Sequence, residues 1–144
     1  MTGRSLRVFV VDDNKDAADS LAMLVRLWGH SVEHDYDGSA FHRIQAYKPD
    51  VILLDIGMPK MDGNLMTRRL REDKDHQRAL IIAITGYHDE ARRMFAKEAG
   101  FDHYLIKPVD PSVLEKLLMM KLLAVRTPDG NDNKDGKDGS APEE

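Results

Sequence analysis

Short apolar runs alternate along this chain with stretches in which apolar side chains recur at every third or fourth position. Leu6 to Val11 and Val51 to Asp55 are rich in β-branched residues and bounded by turn signals, which predicts strands buried on both faces of a parallel sheet. Ser31 to Tyr36, Leu80 to Ile84 and His103 to Ile106 predict three more strands. Between the first two strands, Asn14 is placed to cap a helix whose apolar positions are Ala17, Ala18, Leu21, Leu24, Val25 and Trp28, and Gly29 ends it. Asp37-Gly38 leads into a second helix carrying Ala40, Phe41 and Ile44, stopped before Pro49. Pro59 disfavours helix from Ile56 to Asp62, and a third helix is expected from about Gly63 to Arg71. Asp89 is a cap for a fourth helix that turns Met94, Phe95 and Ala99 inward and ends at Gly100. Asp110, with Pro111 at the first helical position, opens a fifth helix through about Ala124, with Val113, Leu114, Leu117 and Leu118 on its buried side. Met119 and Met120 are expected on helix faces and in core gaps. The pattern predicts an α/β fold with helices on both faces of the sheet.

Composition narrows the setting. At 144 residues the chain is the size of one domain. It has no cysteine, so disulfides and thiolate metal sites are excluded, and no apolar run approaches a membrane span. With no signal-peptide core at the amino terminus, a cytoplasmic protein is expected. The net charge of −4 is local: six of the 25 acidic residues and two of the 21 basic ones lie in residues 127–144, which leaves 19 of each elsewhere. That neutral body gives no overall drive toward nucleic acid or an anionic membrane. The expected organisation is a folded unit over residues 1–126 and a disordered acidic tail over 127–144, with no effector domain attached.

The chemistry gathers at strand ends. Asp12 and Asp13 follow the first strand and Asp55 ends the third, so parallel pairing brings three carboxylates to one edge. Like charges at that range repel by several kcal/mol, and a cation such as Mg²⁺ or Mn²⁺, which favours oxygen ligands, offsets the repulsion. Thr85 and Lys107 follow the fourth and fifth strands and reach the same edge. In open α/β sheets that edge is the ligand site. A metal between Asp13 and Asp55 leaves a carboxylate oxygen as nucleophile, with Lys107 and Thr85 placed to meet phosphoryl oxygens. The six histidines show no paired ligand spacing, and His88 is assigned no role.

The stretches V-V-D12-D13-N, L-L-D55-I-G-M-P59-K-M-D-G63, A-I-T85-G86 and Y104-L-I-K107-P108 resemble the receiver domain of a two-component response regulator, over residues from about 6 to 124. The family includes the single-domain chemotaxis regulator and the receivers of hybrid kinases. The resemblance implies a flavodoxin-like five-stranded parallel sheet in the order 2-1-3-4-5. It also implies that Asp55 is the phosphoacceptor, taking a phosphoryl group from a sensor histidine kinase or a histidine phosphotransfer protein. Asp12, Asp13, Asp55 and the Gly57 carbonyl become the Mg²⁺ site, Thr85 the switch hydroxyl, Lys107 the phosphate-pairing amine and Tyr104 the switch aromatic. The Lys107-Pro108 bond is commonly cis in the family, and Gly86 leaves room beside the phosphate. The output face is that of the fourth helix, fifth strand and fifth helix. Gly57 and Tyr87 depart from the chemotaxis pattern at positions that bear on hydrolysis, so a long-lived phospho-form is expected.

Two other functions fit parts of this pattern. A receiver-shaped interaction module would need no phosphate, but the complete acidic site, Thr85 and Lys107 speak against it. A Mg²⁺-dependent aspartate-nucleophile phosphohydrolase generally has a second acid two residues after the nucleophile, where this chain has Gly57. The expected function is therefore a signalling domain whose only chemistry is its own phosphorylation and dephosphorylation.

Overall fold

The computed structural model describes residues 5–57, 62–86 and 90–126. Five parallel strands, β1 (Arg7–Val11), β2 (Ser31–Asp35), β3 (Val51–Asp55), β4 (Leu80–Thr85) and β5 (His103–Ile106), form one sheet in the order β2-β1-β3-β4-β5. Helices α1 (Lys15–Leu27), α2 (Ala40–Tyr47), α3 (Gly63–Arg71), α4 (Glu90–Ala99) and α5 (Pro111–Arg126) connect or follow them. None of the described helices is long and apolar enough to cross a membrane.

Strand alternation divides the core into two layers. Phe9, Val11, Ile52, Leu54, Ile81 and Ala83 point to the face covered by α2, α3 and α4. Val8, Val10, Val51, Leu53, Ile82 and Ile84 point to the face covered by α1 and α5. Side chains on both faces of β3 are buried, which is why its sequence reads as an unbroken apolar run. Full burial of each such side chain is worth about 1.5–3 kcal/mol.

Most predicted elements are present, with informative differences. Asn14 caps α1 by accepting a hydrogen bond from the Ala17 N–H, and Gly29 follows the helix at φ +94°. Leu6 is buried but lies outside β1, β2 ends at Asp35, and β4 runs on to include Thr85. A 3₁₀ turn at Lys74–His76, absent from the pattern reading, fills the link between α3 and β4 and buries His76. The expected inward positions of α4 need correction: Met94 and Phe95 are 56% and 59% exposed, whereas Ala96 and Ala99 are buried. Two apolar stripes compete on this helix, and the alanine stripe wins because small side chains let the helix lie closer to the sheet. On α5, Leu114 and Leu118 are buried, but Val113, Met119 and Met120 are exposed and fill no core gap. The Asp89 cap, Pro59 and the segment 127–144 lie outside the described residues.

The edge of the sheet away from the acidic cluster is tied by Arg71. Its Nε donates to the Gly100 carbonyl at 2.9 Å, and its Nη1 donates to the carbonyls of His76, Gln77 and Ala79 at 2.8–3.2 Å. Its Nη2 meets Asp102 Oδ2 at 2.7 Å, an oxygen that also accepts the Ile81 N–H. Gly100 is required beside it: φ is +114°, and an added Cβ would lie 2.8 Å from Arg71 Cγ. Gly100→Ala should therefore lower unfolding stability by about 1–3 kcal/mol, from backbone strain plus displacement of the arginine. Urea denaturation checks this; an unchanged midpoint would contradict the role assigned to Gly100.

Candidate functional site

The acidic cluster follows from register. β1 and β3 pair in parallel with Val11 opposite Leu54, so their carboxyl ends emerge side by side where the strand order reverses. Asp12 and Asp13 leave β1 and Asp55 closes β3, and ligand oxygens of the three lie within 4.8 Å of one another. Asp12 and Asp55 are only 1% and 6% exposed, while Asp13 stands in solvent. Two carboxylates are thus held inside the edge and one at its mouth. An all-oxygen set of this kind fits a hard divalent cation such as Mg²⁺.

Both buried carboxylates are held by the same pattern of donors. Asp12 Oδ1 accepts the Asn14 N–H at 3.0 Å, and Asp55 Oδ1 accepts the Gly57 N–H at 2.7 Å. Their Oδ2 atoms each accept a hydrogen bond from Lys107 Nζ at 2.9 Å. Lys107 is itself anchored, because its N–H donates to the Thr85 carbonyl at 2.8 Å. Its peptide bond to Pro108 is cis. Burial pushes the Asp12 carboxyl above the usual carboxylate range, against the opposing pull of the Asn14 N–H and Lys107. Burial also works against the Lys107 ammonium, but Asp12 and Asp55 outweigh it and hold its pKa above the ordinary lysine value. The site therefore contains its own cation, shared between two acids.

Thr85 ends β4 one residue beyond Ile84, which pairs with Asp55, and it is fully buried. Gly86 is exposed and borders open space, since an added Cβ there would meet nothing within 4 Å. Gly57 is half-buried in the turn after β3. Tyr104 lies half-buried on β5, lining the groove between α4 and α5 with Met94, Val113 and Leu117. The proposed modulator Tyr87 lies outside the described residues. The structure thus brings Asp12, Asp13, Asp55 and Lys107 into one cluster and puts Tyr104 in a neighbouring groove.

One part of this region has no strand-end signal in the sequence. Asn64 of α3 and Arg92 of α4 line a cavity of about 220 Å³ together with Ile56, Thr85 and Phe95. A polar residue on the inward side of α3 was the available signal, but the inward side is known only once the helix is docked.

Known proteins resemble this chain. Residues 8–119 match the family model described as the response regulator receiver domain. The response regulator MprA of Mycobacterium bovis is 37% identical over 125 residues, which cover 85% of this chain and 52% of MprA, so the chain spans about half the length of that relative. Protein PilH of Pseudomonas aeruginosa is 35% identical over 115 residues, covering 78% of this chain and 93% of PilH. Among solved structures, the receiver domain of a Pseudomonas aeruginosa sensor histidine kinase is 28% identical, with a TM-score of 0.74 over 83% of this chain and 98% of that one. That neighbour has a magnesium ion coordinated in its active-site cleft. Sheet order, acidic cluster and family match agree, and the chain belongs to the response regulator receiver domains.

Proposed function

We propose that Asp55 is the phosphoacceptor of this receiver, charged by the phosphohistidine of a sensor kinase or phosphotransfer protein. The observation that carries this reading is the convergence on one buried carboxylate, Asp55, of the Lys107 ammonium, the Gly57 N–H and two further acids. An oxygen of Asp55 attacks phosphorus, the P–N bond to the donor imidazole breaks, and the imidazole nitrogen takes up a proton. A mixed anhydride results. A Mg²⁺ held by Asp12, Asp13, Asp55 and the Gly57 carbonyl would neutralise charge on the transferring group. Lys107 then has a phosphoryl oxygen to pair with, and Thr85 supplies a hydroxyl donor to another.

Phosphorylation adds about −1.5 to −2 charges at the sheet edge. Thr85 and Tyr104 carry that change to the face of α4, β5 and α5, where the exposed apolar side chains of Met94 and Val113 line a groove. Such a face suits docking of a partner or of a second receiver. The chain acts in this reading as a cytoplasmic relay or docking component with residues 1–126 as its receiver unit. Its chemistry is confined to gain and loss of its own phosphoryl group, because Gly57 leaves no second acid to protonate a leaving alkoxide.

Three outcomes are expected. Incubation with acetyl phosphate and Mg²⁺ should add one phosphoryl group by intact mass, and neither Asp55→Asn nor chelation of the metal should leave that gain in place. Wild-type protein that stays unmodified would overturn the assignment. Lys107→Met leaves Asp12 and Asp55 without their shared counter-charge, so in chelator it should lower stability by about 1–3 kcal/mol. Added Mg²⁺ should then raise the melting temperature of Lys107→Met more than that of wild type, and an equal or smaller rise would count against the shared-cation account. Finally, Gly57 has no side chain to orient an attacking water, so the phosphoryl group should be lost slowly. Gly57→Asn, restoring a hydrogen bond worth about 1–1.5 kcal/mol to that water, should speed hydrolysis about tenfold. Rapid loss from wild type, unchanged by Gly57→Asn, would refute this point.

A further inference from the structure

Asn64 sits in the first turn of α3, half-buried, and its Oδ1 is fully buried without a hydrogen-bond donor. An acceptor removed from water and left unmet is a standing cost to the state that contains it. The cavity it lines has two polar neighbours able to donate, the Thr85 hydroxyl and the Arg92 guanidinium in the first turn of α4. α4 is held to the core chiefly by Ala96 and Ala99 in its second half, while Met94 and Phe95 stay exposed. Its amino-terminal half, which carries Arg92, buries no side chain in the core.

We propose that Asn64 is a latch between α3 and α4, its side-chain carbonyl accepting a hydrogen bond from Arg92 when Thr85 turns toward a phosphoryl group on Asp55. The proposal rests on the phosphoacceptor reading above and adds a residue to the switch. A ligand shifts a conformational equilibrium only through interactions that differ between the two states. Here the difference is explicit: the acceptor is unmet in this structure and met in the phosphorylated form, so the cost is lifted on activation. Asn64 touches neither the phosphoryl group nor the metal, and its role is that of a positioning residue. The small alanine stripe and the open cavity give α4 room for the adjustment.

The test is a double-mutant cycle read by binding of beryllofluoride, an acyl-phosphate mimic, in the presence of Mg²⁺. Asn64→Leu and Arg92→Met should each weaken beryllofluoride binding about tenfold, and the double variant should be no weaker than either single one. Without beryllofluoride, Asn64→Leu should melt at or above the wild-type temperature, because it removes an unmet polar atom. Should the leucine variant not fold, Asn64→Ala takes its place, and Arg92→Met at its exposed site carries the same expectation alone. Unchanged beryllofluoride affinity, or effects of the two substitutions that simply add, would overturn the latch while leaving the phosphoacceptor reading intact. Wild-type protein that fails to bind beryllofluoride would overturn both.

Discussion

One ammonium between two buried carboxylates is the interaction on which the acidic edge of this molecule depends. Asp12 and Asp55 end adjacent parallel strands and are nearly closed to solvent, so their charges cannot be screened by water. Lys107 reaches both at 2.9 Å, and the Asn14 and Gly57 N–H groups take the remaining oxygens. Burial raises the Asp12 pKa, while Asp12 and Asp55 outweigh the effect of burial on Lys107 and keep its ammonium charged.

The rest of the fold serves to keep that edge in register. β1 and β3 are fixed by side chains that interdigitate on both faces, so a slip of either strand would invert its core and scatter the carboxylates. At the opposite edge, Arg71 gathers the ends of α3, the 3₁₀ turn, β4 and α4 by donating to the carbonyls of Gly100, His76 and Ala79. Gly63 does related work at the near edge, where a Cβ would lie 3.0 Å from the Ile56 side chain and push α3 away from the turn after β3. The most deeply buried elements are thus the strands, while the amino-terminal half of α4 buries no side chain in the core. That contrast suits a switch, since a local charge change needs one movable element against a rigid frame.

Several site residues were legible without coordinates because their positions are tied to strand ends. Asp12, Asp13, Asp55, Thr85 and Lys107 each follow a run whose apolar character is unmistakable, and parallel strands put all such ends on one edge. Helix phase was harder to read. Met94 and Phe95 are larger and more apolar than Ala96 and Ala99, yet they face out, because close approach of a helix to a sheet favours small side chains over hydrophobic ones. On α5, Val113 is exposed, and among the described side chains Leu114 and Leu118 are the fully buried ones. His76 gave no signal of its complete burial, since a short 3₁₀ turn has no periodicity to display it.

What the sequence determined by itself is the element order, the alternating fold class and the set of chemical groups at the sheet edge. These depend on local periodicity, turn residues and the polarity of a parallel strand, all of which are written in consecutive residues. Only the tertiary structure decided that one lysine bridges two acids from different strands, that α4 buries Ala96 and Ala99, and that Asn64 lines a small cavity with Arg92 and Thr85. Each of those outcomes joins residues far apart in the chain. They are set by how closely helices and strands can pack while still satisfying buried charges and polar atoms, which no local pattern encodes.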